Sequence, residues 1–379
     1  MKIKAKLTNK TIRFYTFIGI FAYSCTLQAG PIEDLQPGHW VEIPDTNLSQ
    51  VYPSPTPWGK KGPTAIMSAW SGGAYDTQRN RLIVWGGGHV NYAGNEMYAF
   101  DIDQLSWFRI TEPSPGPTPC ELYMFDGQPG SHHTYNMLQY TILTDSLISV
   151  SGGGYGSGCD AEFSAIKSIT TDKFNFTTNT WTKGSEQPSA GDTIGRVSAT
   201  DPATGHIWMH GTYGGSKLLE YNPANDEWHI RSNGEYLEIE GAAAIDPVRR
   251  LMVVIGRWNS SSGTPRRQIK VWDLTQSLGS SYTPETSGDN TLEFLAGNGF
   301  VFDPTINKFV GWNNGSEVYT LDPETWIWEK IDAAPTNTTI PSAEPNGTFG
   351  RFRYIPSKNV YIVVNRTTEN VYFYRLNNN

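Results

Sequence analysis

The sequence repeats itself six times, and this repetition constrains the fold more than any single motif does. Each unit carries an apolar segment running into a polar turn and a second apolar segment ending near Gly. An aromatic segment ending in Asp or Asn follows, and then a Trp. Unit one spans 66–75, 81–88, 96–101 and 106–111, with Tyr75-Asp76, Trp85-Gly86-Gly87-Gly88, Tyr98-Ala99-Phe100-Asp101 and Trp107 as its marks. Unit two covers 133–141, 146–154, 174–176 and Trp181; unit three covers 196–201, 206–211, 218–222 and Trp228. Unit four has 242–246, 251–256 and 269–273, with a last strand expected around Tyr282. Unit five has 299–303, 309–312, 318–322 and Trp328; unit six has 350–354, 360–364 and 371–374, with no fourth segment behind them. Short strands at even spacing with Gly-rich turns form four-stranded meanders. Such sheets bury both faces by packing radially around an axis, so the pattern predicts an all-β, six-bladed β-propeller. The missing outer strand of blade six is expected from His39-Trp40-Val41-Glu42-Ile43-Pro44, which would close the ring and cover the sheet edges.

The chain holds 38 Gly, 13 Trp and 19 Tyr, which suits many short strands with periodic aromatics. Gly86 to Gly88, Gly152 to Gly154, Trp107, Trp181, Trp228 and Trp328 are expected to be structural, with the glycines allowing close strand packing and the indoles filling space between blades. The Gly-Gly pairs and trailing aromatics resemble kelch repeats, at a unit length of about 57 residues against a kelch period of about 50. That resemblance implies architecture rather than function.

Residues 1–29 read as a secretory signal: Lys2, Lys4, Lys6, Lys10 and Arg13 precede an apolar stretch from Phe17 to Leu27, with Ala29 at the cleavage site. A lipidated Cys25 is the alternative. Residues 30–379 then form a single propeller domain, secreted or periplasmic, without a membrane span. The whole chain has 29 basic and 37 acidic residues, and loss of those five basic residues leaves 24 against 37, a net charge of −13. Such a surface repels nucleic acid. In an oxidising compartment the remaining Cys120 and Cys159 are expected to pair as a disulfide, with a zinc site as the alternative.

Function on such a scaffold belongs to loops. The b–c loops and the crossings between blades are long here (113–131, 155–167, 257–267 and 333–346), and they share one face. Two columns of residues fall on that face. After the second strands come His89, Tyr155, Tyr213, Arg257 with Trp258, Asn313 with Asn314, and Asn365 with Arg366. Before the innermost strands come Trp70, His132 with His133, Arg196, Glu240, Asn298, and Arg351 with Arg353. His206 and His229 are expected to be structural, while His210 stays open.

Histidine, tyrosine and arginine gathered from separate blades suit a site for an acidic carbohydrate, in which Arg binds carboxylate or sulfate and aromatic rings stack on sugar faces. They also suit β-elimination at a uronate. That reaction needs a base for the proton α to the carboxylate, an acid for the leaving oxygen and a cation for the carboxylate. Here the stretches from Trp85 through His89 to Gly94-Asn95-Glu96, and Ser131-His132-His133-Thr134-Tyr135-Asn136, resemble the propeller-type ulvan lyases. These are kelch-like polysaccharide lyases, for which seven blades would be expected. The resemblance implies catalytic roles for His89, for His132 or His133, and for Tyr213 and Tyr155, with Arg196 and Arg257 among the substrate ligands. Arg351, Trp70 and Asn298 join that binding set from their place on the face.

The expected partner is an acidic polysaccharide and the expected state a monomer. No cofactor is expected. Calcium at Asp160 and Glu162, or zinc at the cysteines, are the weaker alternatives. A non-catalytic carbohydrate- or protein-binding propeller stays open beside the lyase, as does a hydrolase, for which Glu240 lacks an evident carboxylate partner.

Overall fold

A computed structural model describes residues 30–88, 91–116, 121–152, 168–188, 192–232, 234–259 and 264–377. Six small antiparallel sheets form a six-bladed β-propeller. Blade one is Gly73–Asp76, Arg81–Val84, Tyr98–Asp101 and Ser106–Arg109, ordered from axis to rim. Blade two is Leu138–Thr141, Ser146–Gly152, Ser168–Asn175 and Thr180–Glu186. Blade three is Asp192–Thr200, Ile207–Ser216, Leu218–Asn222 and Glu227–Ile230. Blade four has Ala242–Asp246, Leu251–Ile255 and Ile269–Asp273, and its rim is reduced to a bridge between Val271 and Tyr282. Blade five is Gly299–Asp303, Lys308–Trp312, Val318–Leu321 and Ile327–Ile331, with Ser287–Gly288 added in parallel outside. The innermost strands touch one another in cyclic order, so the ring is closed. Among the described residues no helix is long and apolar enough to cross a membrane.

Blade six closes as the sequence implies. Its strands Phe352–Ile355, Val360–Val363 and Val371–Arg375 take His39–Ile43 as the rim, with Trp40 opposite Tyr374 and Ile43 opposite Val371. Trp40 is buried against Trp312 and Tyr374 and donates its indole N–H to the Ser316 carbonyl. Segments far apart in the sequence therefore share one sheet, which closes the ring.

One spacing recurs in all six blades. The first strand of each ends at Asp76, Thr141, Asp201, Asp246, Asp303 or Ile355. In the first five, the side-chain oxygen accepts backbone N–H groups of the turn that follows. Four residues later comes a left-handed residue: Asn80, Asp145, Gly205, Arg250, Asn307 or Asn359. Six residues earlier comes another: Trp70, Tyr135, Gly195, Glu240, Gly297 or Phe349. The first set closes the hairpins on one face, where Arg79 pairs with Asp145 and Arg250 with Asp201 across adjacent blades. The second set lies on the opposite face and forms a ring around the axis.

The periodic tryptophans pack between strands and blades. Trp85 stacks near Trp181, Trp228 donates to Thr171 of blade two, and Trp328 donates to the buried Glu293. Gly88 is required by close approach: a Cβ there would sit 2.4 Å from the Cα of His132.

Candidate functional site

The ring of left-handed residues defines the mouth of the axis. The Tyr135 N–H donates to the Trp70 carbonyl at 2.7 Å, Glu240 to Gly195 at 3.1 Å, Gly297 to Glu240 at 2.9 Å, and Phe349 to Gly297 at 3.3 Å. Each link joins neighbouring blades through the backbone. Left-handed backbone costs a side-chain-bearing residue on the order of 1–2 kcal/mol, so four such residues in one ring are held there by the surrounding packing.

Their side chains fill the mouth unevenly. Blades six, one and two contribute Phe349, Trp70 and Tyr135; blades three and five contribute only Gly195 and Gly297; blade four contributes Glu240. Tyr135 meets Phe349 edge-on at 5.7 Å between ring centroids. His133 lies 5.0 Å from the Trp70 ring and 5.9 Å from Tyr135. Phe349, Tyr135 and His133 are buried, whereas Trp70 and Glu240 are partly exposed. Across the axis, Trp70 Nε1–H donates to Glu240 Oε1 at 2.9 Å. Burial pushes the Glu240 carboxyl up to about 7, with the Trp70 hydrogen bond opposing the rise.

The other residues singled out by sequence separate into distinct roles. His132 is buried, with Nδ1 at 3.1 Å from the Gly130 carbonyl and Nε2 at 3.2 Å from Ser149 Oγ, edge-on to Trp85. Burial lowers its pKa to about 4, which keeps the ring neutral. His210 is likewise buried, stacked on Trp272, and held down to about 4 by burial. Arg351 was expected to bind substrate, and the structure places it inside the protein. Its guanidinium is fully buried, and all five N–H groups reach the carbonyls of Ser71, Val364, Asn365, Met67 and Gly347. No donor is left for a ligand. Asn298, expected in the same set, is also buried: its amide donates to the Leu292 and Leu295 carbonyls and accepts from Asn313. Arg196 is buried and donates to Gln187.

Arg257 differs, because its guanidinium is partly exposed and pairs with Glu238 at 2.6 Å. Tyr236 also donates to Glu238, at 2.8 Å. Tyr213 lies opposite Leu237 in strand pairing, which brings it beside this pair. Tyr213, Tyr236 and Trp258 are exposed on the segments that carry this ion pair or pair with them. His206 bonds Glu220 on an outer strand, and His229 is exposed on the rim, in keeping with the structural reading of both.

His89, Tyr155, Cys120, Cys159, Asp160 and Glu162 lie outside the described residues, as do 1–29 with Cys25. Among the described residues no three His, Cys, Asp or Glu side chains group to hold a metal ion. Two surface hollows lie away from the mouth. One, of about 520 Å³, lies on the opposite face at Tyr75, Asn80 and Lys358; the other, of about 460 Å³, runs along Pro53, Trp58 and Pro115.

Tyr135, Tyr236 and Phe349 are residues of this face that the two sequence columns missed. Counting back six from each turn residue finds Tyr135 and Phe349, together with Trp70 and Glu240. No protein-family model matches this chain, and no curated protein matches it.

Proposed function

We propose that this protein is an exported kelch-type propeller that acts on a uronate-containing polysaccharide by β-elimination at the axial mouth. One observation carries the reading: on the loop face Trp70 of blade one hydrogen-bonds Glu240 of blade four and lies against His133 of blade two, with Tyr135 next to His133. Groups able to move protons and a partly exposed indole that a sugar ring can stack on are thus side by side. Among Arg196, Arg257 and Arg351, Arg257 alone is partly exposed, so it is the guanidinium assigned to the uronate carboxylate. The test is incubation with a panel of uronate-containing polysaccharides, ulvan included, followed by ultraviolet absorbance of unsaturated uronate ends. A rise that His133→Ala removes, with folding intact, supports the lyase; no rise on any substrate overturns it.

A second reading, non-catalytic carbohydrate recognition, is favoured by the exposed trio Tyr213, Tyr236 and Trp258 around Arg257 and Glu238. Binding without cleavage in the same panel is its signature.

A further inference from the structure

We infer that Glu240 is the proton-transferring group of this site, taking the α-proton of the uronate and delivering it to the leaving oxygen; the inference rests on the lyase reading. In the ring of six left-handed residues, Glu240 is the one carboxyl, and it is flanked by Gly195 and Gly297, which add no side chains beside it. It is partly exposed at the mouth, whereas His133 and Tyr135 lie buried behind Trp70. Among the described residues, the side-chain hydrogen bond to its carboxyl comes from Trp70, which engages Oε1. Neighbouring carbonyls and amides of the ring hold its backbone on both sides, through Gly195 and Gly297. A carboxyl so fixed on backbone, with one oxygen oriented by a neutral donor, is positioned rather than mobile.

The surrounding groups support a neutral-range titration. The titratable and charged side chains of the packed elements are His133 and Tyr135 on blade two, Arg196 on blade three, and Glu238 and Arg257 on blade four. Arg257 is paired to Glu238, and Arg196 is directed to Gln187. The balance at Glu240 is between burial, which raises its pKa to about 7, and the Trp70 hydrogen bond, which lowers it. A base with a pKa near working pH combines a populated basic form with useful proton affinity.

The step balances without a co-reactant. The Glu240 carboxylate removes the proton on the carbon α to the uronate carboxylate. The released electron pair forms the carbon–carbon double bond as the glycosidic carbon–oxygen bond breaks. The proton on Glu240 then passes to the departing oxygen, which restores the carboxylate. One carboxyl serving both transfers requires the α-proton and the leaving oxygen on the same side of the sugar, so the inference selects uronates with that relative configuration.

The experiment uses wild-type protein, Glu240→Gln and Trp70→Phe. Gln keeps the size of the side chain and an acceptor for Trp70. Cleavage of the uronate polysaccharide panel is followed against pH by ultraviolet absorbance, and the Glu240 carboxyl is titrated by carbon NMR of glutamate-labelled protein. The expected result is a loss in kcat of about 100-fold or more in Glu240→Gln, with KM nearly unchanged. Wild-type rate should rise with pH through about 7, and Trp70→Phe should move that limb to higher pH. Glu240→Gln with wild-type rate and pH profile overturns the inference while the lyase reading stands, and so does a Glu240 carboxyl titrating with an ordinary glutamate. Absence of cleavage by wild type overturns the lyase reading and this inference together.

Discussion

Trp70 of blade one and Glu240 of blade four are joined by a 2.9 Å hydrogen bond from the indole N–H to Oε1, across the propeller axis and 170 residues apart in sequence. The bond puts a neutral donor against a carboxyl whose burial disfavours its charge. Its strength and that carboxyl's ionisation are therefore coupled.

The first prediction follows from the sign of that coupling. Glu240 has a folded pKa of about 7 against an ordinary glutamate value of 4.5, so the folded state retains a proton that the unfolded chain releases. Its contribution to stability is full below about 4.5 and is lost as pH rises through about 7. The loss amounts to about 3 kcal/mol at most. Urea unfolding of wild type and Glu240→Gln at pH 4 to 8 should show the difference between them shift in that window, with wild type losing ground as pH rises.

His132 carries the opposite sign. Its folded pKa of about 4 lies below the ordinary histidine value of 6.5, so stability is lost as pH falls from about 6.5 towards 4. His132→Ala should lower stability by about 2–4 kcal/mol through lost packing, measured by urea unfolding near pH 7, and the deficit should shrink towards pH 4. Any activity per folded molecule should stay the same.

Arg351 tests the seam between blades six and one. Arg351→Lys exchanges five fixed donors for three, which leaves at least two buried carbonyls without their guanidinium partner. The expected cost is about 2–4 kcal/mol in chemical denaturation.

Trp40 tests ring closure. Trp40→Ala removes the indole packed on Trp312 and Tyr374 from the rim strand of blade six, at an expected cost of about 3–5 kcal/mol. Faster hydrogen exchange along Val371–Arg375 should accompany it, since these residues pair with His39–Ile43.

Trp258 separates binding from folding. The residue is exposed at 47%, so Trp258→Ala should change stability by less than about 0.5 kcal/mol. If carbohydrate lies on the Tyr213–Tyr236–Trp258 platform, affinity measured by calorimetry should fall by about 2- to 10-fold.

Much of the architecture was legible because it repeats. The six units, the bridge at Tyr282 and the transfer of 39–44 to blade six all follow from matching apolar segments to a common template. The site was legible only in part. Trp70 and Glu240, named in the inner column, lie in the left-handed ring, whereas Tyr135, Gly195 and Phe349 fill the ring positions beside the named His132 with His133, Arg196 and Arg351. Slips of one to three residues matter here, because neighbouring side chains along an extended segment face different surroundings. A ligand-facing position and a buried carbonyl clamp can be adjacent in sequence.

By itself the sequence determined the blade count, the order of strands and the joining of the two ends, because hydrophobic period and turn chemistry are local properties that each unit states independently. Only the tertiary structure decided which charged and aromatic side chains are available for chemistry. Arg351 and Arg257 are both arginines of the same face, and the chain around each gives no hint that one is enclosed by five carbonyls while the other is partly exposed. Burial and partner choice are set by residues well over a hundred positions away, as Ser71 and Met67 are for Arg351 and Trp70 is for Glu240.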